Sequence, residues 1–136
     1  MQIRVIRGQK NKNMNILYKE EAYLIIGKCM EVHNALGHGF LEIVYKDALE
    51  LIFRQDGIAY EREKVYAKHF RNTILPHRYQ ADFVIMNKII LEVKSVSALT
   101  NEHIAQTLNY LKVSNNALAL LVNFGKPNLE SKRLIL

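Results

Sequence analysis

Disulfides, zinc sites and membrane spans are all ruled out by what this 136-residue chain has little of. Its single cysteine, Cys29, has no partner for an internal disulfide, and no Cys/His spacing resembles a zinc site. A reducing, cytoplasmic setting is therefore expected. The longest apolar run, Ala117 to Val122, falls far short of the roughly 20 residues that span a bilayer. Basic residues near the start have no apolar signal core behind them, so secretion is not expected. There is no tryptophan, no glycine-rich phosphate loop and no repeat, low-complexity tract or linker. The remaining composition, 49% hydrophobic and 24% charged, is that of a chain able to build a core without staples.

Acid is also missing from residues 1–13, which carry Arg4, Arg7, Lys10 and Lys12. These four account for most of the net charge of +6, since the other 15 bases face all 13 acids. The expected organisation is a basic leader over residues 1–16 and one domain over 17–136, with Met14 a candidate alternative start. So placed, the charge is only weak support for a polyanionic partner.

Helical spacing runs from Leu17 to Ala35 through Tyr23, Ile26, Met30 and Val32/His33, and ends at Gly37 and Gly39. A second helix fits Leu41 to Gln55, with Val44, Ala48, Leu51 and Ile52 as its buried stripe. Period-two strands follow at Ile58–Phe70, Tyr79–Ile85 and Ile89–Val96, with a turn at Arg71-Asn72-Thr73. A third helix is expected over Asn101–Val113. Ala117–Phe124 reads as a strand covered on both faces and reached by a helical crossover. The order is ααβββαβ, with Arg133–Leu136 a candidate final strand.

Chemistry concentrates in the hairpin Gln80–Lys94. Glu92 and Lys94 share one strand face, opposite Leu91 and Val93, while Ala81, Phe83 and Ile85 form the apolar set of the preceding strand, with Asp82 opposite them. A two-residue turn at Asn87-Lys88 sets Asp82 across from Val93, on the wrong face. A three-residue turn, Met86 to Lys88, pairs Asp82 with Glu92, Phe83 with Leu91 and Ile85 with Ile89, and is the expected register. Opposed carboxylates about 5 Å apart at Cβ repel. A hard divalent cation, Mg²⁺ or Mn²⁺, relieves that repulsion.

Two further patterns join this hairpin. The bend between the first helices reads Gly39-Phe-Leu-Glu42-Ile-Val-Tyr45, a G-x-x-E-x-x-Y pattern. The third helix carries Gln106-Thr-Leu-Asn-Tyr110, a Q-x-x-x-Y pattern. With Asp82, Glu92-Val-Lys94, Glu31-Val-His33, Leu36-Gly37-His38-Gly39 and Val122-Asn-Phe124, the chain resembles the GxxExxY proteins of the PD-(D/E)XK nuclease-like superfamily from about Tyr18 onward. It departs from that pattern at Ala81, where the superfamily's name places proline, and at His38, where relatives often have proline.

The resemblance implies an α/β, restriction-endonuclease-like core, a mixed central sheet flanked by helices. It implies Asp82, Glu92 and the carbonyl of Val93 as metal ligands, with Glu42 as an extra acid for metal or water. Lys94 is implied as the lysine that orients water and stabilises phosphate charge, and Gln106 with Tyr110 as a pair that holds site and substrate. The expected function is Mg²⁺- or Mn²⁺-dependent hydrolysis of phosphodiester bonds in nucleic acid, DNA ahead of RNA. The alternative is a non-catalytic nucleic-acid-binding or homodimeric interaction module that keeps the fold. Arg62, Lys64, Lys68, Arg71 and Arg78 are candidates for backbone phosphate contact, or else solvated charges interleaved with Glu61 and Glu63. The five histidines are dispersed, and His103 lies three positions before Gln106.

Overall fold

The computed structural model describes residues 17–136; the expected leader and the alternative start at Met14 lie outside them. Helices α1 (Lys19–Leu36) and α2 (Glu42–Gln55) precede strands β1 (Tyr60–Phe70), β2 (Thr73–Ile85) and β3 (Ile89–Lys94). Helix α3 (Asn101–Ser114) then leads to β4 (Leu118–Asn123) and β5 (Glu130–Ile135). The strands form one sheet in the order β1-β2-β3-β4-β5, antiparallel except for the β3–β4 pair. A parallel neighbour needs a crossover, and α3 supplies it. The expected order thus holds, with β5 as a full added strand beginning at Glu130 rather than Arg133.

Alternation along β3 and β4 divides the core. Ile89, Leu91, Val93, Leu118, Leu120 and Val122 pack toward α1 and α2, whereas Ile90, Ala119 and Leu121 pack toward α3. Both strands lie between layers, and every residue of β4 is buried. No helix among the described residues is long and apolar enough to cross a membrane.

Both leading helices form where expected but are rotated from the predicted stripes. In α1 the buried set is Ala22, Ile25, Cys29, Val32 and His33, while Tyr23 and Met30 face outward. In α2 it is Tyr45, Lys46, Leu49 and Phe53, while Leu51 is exposed and Val44 and Ala48 are half-buried. Side-chain size favours Tyr23 and Met30 over the smaller Ala22 and Cys29. The structure buries the smaller ones, on the face of α1 that meets α2 and the core. Cys29 is fully enclosed, and burial pushes its thiol up to about 12, so it is an inert core residue.

The turn between β2 and β3 occupies Met86 to Lys88, with Phe83 opposite Leu91 and Ile85 opposite Ile89. Met86 and Asn87 have φ of 55° and 61°, and the Lys88 amide donates to the Ile85 carbonyl at 3.1 Å. This is type I′ geometry, which asparagine accepts readily and methionine does not. The β1–β2 turn at Arg71-Asn72 has the same signature, and β2 runs six residues further back than expected, to Thr73.

A second clamp fixes the loop after β3. Asn123 Oδ1 accepts from the Val96 and Gly125 amides, and its Nδ2 donates to the Val96 carbonyl. Gly125 lies so close to this loop that an added Cβ would meet Val96 O at 2.3 Å and Val96 N at 2.4 Å. These are backbone atoms and cannot swing aside. Gly125→Ala is therefore expected to destabilise the protein by about 3 kcal/mol, at the upper end of overpacking costs. Urea titration checks it, and a loss within experimental error would contradict the close approach.

Candidate metal and nucleic-acid site

Near its inner end the β2–β3 ladder changes character. Backbone pairing stops at Phe83–Leu91, and the next two residues exchange side chains for it. The Asp82 amide donates to Glu92 Oε2 at 2.7 Å, and the Val93 amide donates to Asp82 Oδ2 at 2.8 Å. Each carboxylate thus has one oxygen fixed by the backbone. Amide and carbonyl of one strand residue point to the same side, so the Val93 carbonyl faces this same gap.

Across β2, the partner strand is distorted at the same level. Glu63, opposite Asp82 in register, has a φ of 56° and drops out of the ladder between Arg62–Phe83 and Lys64–Ala81. The hairpin rolls there. Tyr60, Phe83 and Ile85 pack toward α1 and α2, whereas Tyr66, Tyr79 and Ala81 pack toward α3. The expected single face of Ala81, Phe83 and Ile85 is corrected accordingly: Ala81 belongs to the opposite layer. Asp82 sits at the roll, where its carboxylate reaches Lys46 on α2.

Lys46 fills the opening this creates. It projects from α2 with 9% of its surface exposed, and its ammonium lies 2.9 Å from Asp82 Oδ1 and 3.1 Å from Glu63 Oε2. Burial opposes its charge, but the bonds to Asp82 and Glu63 outweigh burial and hold its pKa above the ordinary lysine value. Neither Lys46 nor Glu63 was among the residues expected from sequence. A signal for Lys46 existed: it falls three and seven positions before Leu49 and Phe53, in the true buried stripe of α2. A lysine in such a stripe is rarely buried unless paired.

Glu92 is enclosed, at 3% exposed. Burial first, and then the Asp82 charge, push its carboxyl well above the ordinary 4.5, against the pull of the Asp82 amide, Lys94 and Lys46. Lys94 lies on the same strand face and donates to Gln106 Oε1 at 3.2 Å. Tyr110, one helical turn on, is 9% exposed, and burial with the nearby Glu92 and Asp82 charges pushes its phenol up to about 12. Asp82, Glu92, Lys94, Gln106 and Tyr110 are thus brought together from three elements.

Glu42 is placed elsewhere. Among the described residues no three Asp, Glu, His or Cys side chains gather closely enough to hold one metal ion. Glu42 lines a neighbouring cleft of about 590 Å³, between the start of α2 and the Ser95–Ser97 loop. Its motif partners explain why α2 begins there. Gly39, with a φ of 102°, makes the bend, and the buried Tyr45 donates to the Gly37 carbonyl at 2.7 Å while accepting from the Phe40 amide. The Tyr45 ring stacks on Phe124 at 4.6 Å. His103 is structural: its Nδ1 accepts from the Thr100 amide in the capping box of α3.

The donor chemistry fits a hard divalent cation. Asp82 Oδ1 and Glu92 Oε1 are the oxygens not held by backbone amides, the Val93 carbonyl faces them, and the buried pair repels itself.

Basic residues divide into tied and free. Arg62 is held by Asp47 and Glu50, and Lys64 by Glu61, which favours for these two the reading as charges paired with neighbouring acids. Lys68, Arg71 and Arg78 are exposed and have no acid partner among the described residues. They lie on the outer β1–β2 hairpin, whose residues 64–81 include no acid. At its base Tyr79 packs edge-on against Tyr110, with ring centroids 6.3 Å apart. Tyr60 packs against the core, and Phe70 is exposed near the hairpin tip.

The family described as the PD-(D/E)XK nuclease superfamily matches residues 19–134. No curated protein matches the chain. The crystal structure of SSO0001 is similar, with a TM-score of 0.57 and 17% identity over 87% of this chain. The chain spans 59% of the length of SSO0001, and at that identity the likeness is one of fold alone.

Proposed function

We propose that this chain, which belongs to the PD-(D/E)XK nuclease superfamily, is a GxxExxY-type, divalent-metal-dependent phosphodiester hydrolase acting on nucleic acid, DNA ahead of RNA. The observation that carries the reading is the reciprocal hold of Asp82 and Glu92 on each other's strand, with Lys94 beside them. Such an arrangement fixes two like charges in a partly buried gap, which a structural sheet has no reason to do. Asp82 Oδ1, Glu92 Oε1 and the Val93 carbonyl are the residues that would hold Mg²⁺ or Mn²⁺. The bound ion supplies Lewis acidity, lowering the pKa of water and polarising a phosphate oxygen.

The chain's own groups do the rest. Lys94, steadied by Gln106, presents positive charge where the attacked phosphate gains negative charge. Tyr110 keeps its phenolic proton at neutral pH and serves as a hydrogen-bond donor at the edge of the site. Glu42, lining the adjacent cleft, acts on water rather than as a direct ligand. Lys68, Arg71 and Arg78 contact phosphates along the substrate backbone without reading sequence.

A second reading, a module that binds nucleic acid without cutting it, draws on Lys46, which already neutralises Asp82. Incubation with single-stranded, duplex and branched substrates, in Mg²⁺ or Mn²⁺ and in EDTA, separates the two. Cleavage only with metal supports hydrolysis, and tight binding without cleavage under any metal supports the alternative. Under either reading, replacing Lys68, Arg71 and Arg78 together with alanine is expected to weaken binding about equally for all sequences. The slope of log affinity against log salt should fall by about 0.9 for each duplex phosphate that is no longer neutralised. An unchanged slope would remove the outer hairpin from the interface.

A further inference from the structure

We propose that Lys46 is a built-in counter-ion that occupies Asp82 until a divalent cation displaces it, and that Glu63 retains its ammonium on displacement. The proposal rests on the reading of Asp82 and Glu92 as a metal site. Asp82 Oδ2 is committed to the Val93 amide, so Oδ1 is the oxygen free to bind a cation, and the Lys46 ammonium stands on it at 2.9 Å. The same ammonium is 3.1 Å from Glu63 Oε2. One cation therefore bridges two carboxylates at nearly equal distances, and letting go of one leaves it paired with the other.

That second partner matters because a lysine so enclosed cannot be left alone. Removing the only partner of a buried charge is strongly unfavourable. Lysine suits the exchange, being a compact charge with three donors on a flexible stem. Arg62 lies beside Glu63 at 3.7 Å but is held chiefly by Asp47 and Glu50, which leaves Glu63 to Lys46.

Glu63 has its own mark of purpose. It takes a left-handed backbone, φ 56°, in mid-strand, although glutamate has no side-chain group that favours this. No core packing explains it, since the Glu63 side chain is 42% exposed. The distortion does set its carboxylate across from Asp82 with Lys46 between them.

Free Mn²⁺ followed by electron paramagnetic resonance gives affinities without any need for cleavage. Lys46→Met is expected to bind Mn²⁺ roughly tenfold more tightly than wild type, within the range of couplings between contacting residues. Glu63→Gln is expected to bind it several-fold more weakly, because the ammonium then stays on Asp82. Introducing Glu63→Gln into Lys46→Met should change nothing further. Where Lys46→Met does not fold, Lys46→Gln carries the same test, keeping a donor without charge.

A folded Lys46 variant that binds Mn²⁺ no more tightly than wild type would overturn the exchange, as would an undiminished effect of Glu63→Gln in its background. Binding by wild type without that tightening sinks the Lys46 proposal alone. No Mn²⁺ binding by wild type or any variant sinks the metal site as well.

Discussion

Substituting Lys94 with alanine should lower metal-dependent cleavage roughly 10²- to 10³-fold while leaving the fold and Mn²⁺ affinity nearly unchanged. Lys94 is not a ligand: its ammonium points to Gln106 Oε1 on α3, and the carboxylates beside it are fixed by the Asp82 and Val93 amides. Its loss therefore removes positive charge from the transition state without disturbing the two acids. Single-turnover rates at saturating Mn²⁺, alongside a direct Mn²⁺ affinity, separate the two effects. A parallel collapse of metal binding would make Lys94 a support of the carboxylates instead.

Replacing Glu92 with glutamine should do the reverse, abolishing Mn²⁺ binding while making the metal-free protein more stable. The glutamine oxygen can still accept the Asp82 amide bond, and the buried repulsion with Asp82 is gone. A gain of about 1 kcal/mol, hence about 4 °C in Tm, is typical of relieving such a site. The pH dependence fixes the sign. Glu92 has its folded pKa raised above the ordinary 4.5, so the folded state keeps a proton that the unfolded state loses. Wild-type stability should therefore fall as pH rises through and above 4.5, and the advantage of the variant should grow over that window. Thermal melts in EDTA from pH 4 upward check this. A variant that is less stable than wild type across the series would show that the Glu92 charge is structurally favourable.

Which elements exist, and in what order, was legible because each rests on local chemistry. Glycines at 37 and 39 stop α1, and the β2–β3 register follows from keeping Phe83 with Leu91 and Ile85 with Ile89. Length and burial of β4 followed from an unbroken apolar run. Which face a helix buries was less legible. Tyr23 and Met30 against Ala22 and Cys29 is a choice between two apolar stripes, decided by how α1 packs against α2 and the core, which no local pattern reports.

Strand alternation pointed to the hairpin acids and the family resemblance implied the α3 pair; the structure sets Gln106 against Lys94 and Tyr110 near both acids. Lys46 was missed as a consequence of the α2 rotation: with Val44 and Ala48 taken as buried, position 46 reads as solvent-facing. Glu63 was missed for a different reason. Its left-handed backbone has no cue in the residues around it, and the roll it produces is what turns Asp82 toward α2. Glu42 came from the resemblance alone, as an acid for metal or water, and the bend locked by Tyr45 sets it along the cleft.

The claim at the centre is that Asp82, Glu92 and the Val93 carbonyl make a divalent cation site. Calorimetric titration of Mn²⁺ into the wild-type protein and into Glu92→Gln tests it most directly. Saturable binding to wild type that is absent in the folded variant is the expected result. Equal binding by both proteins, or none by wild type, would contradict it.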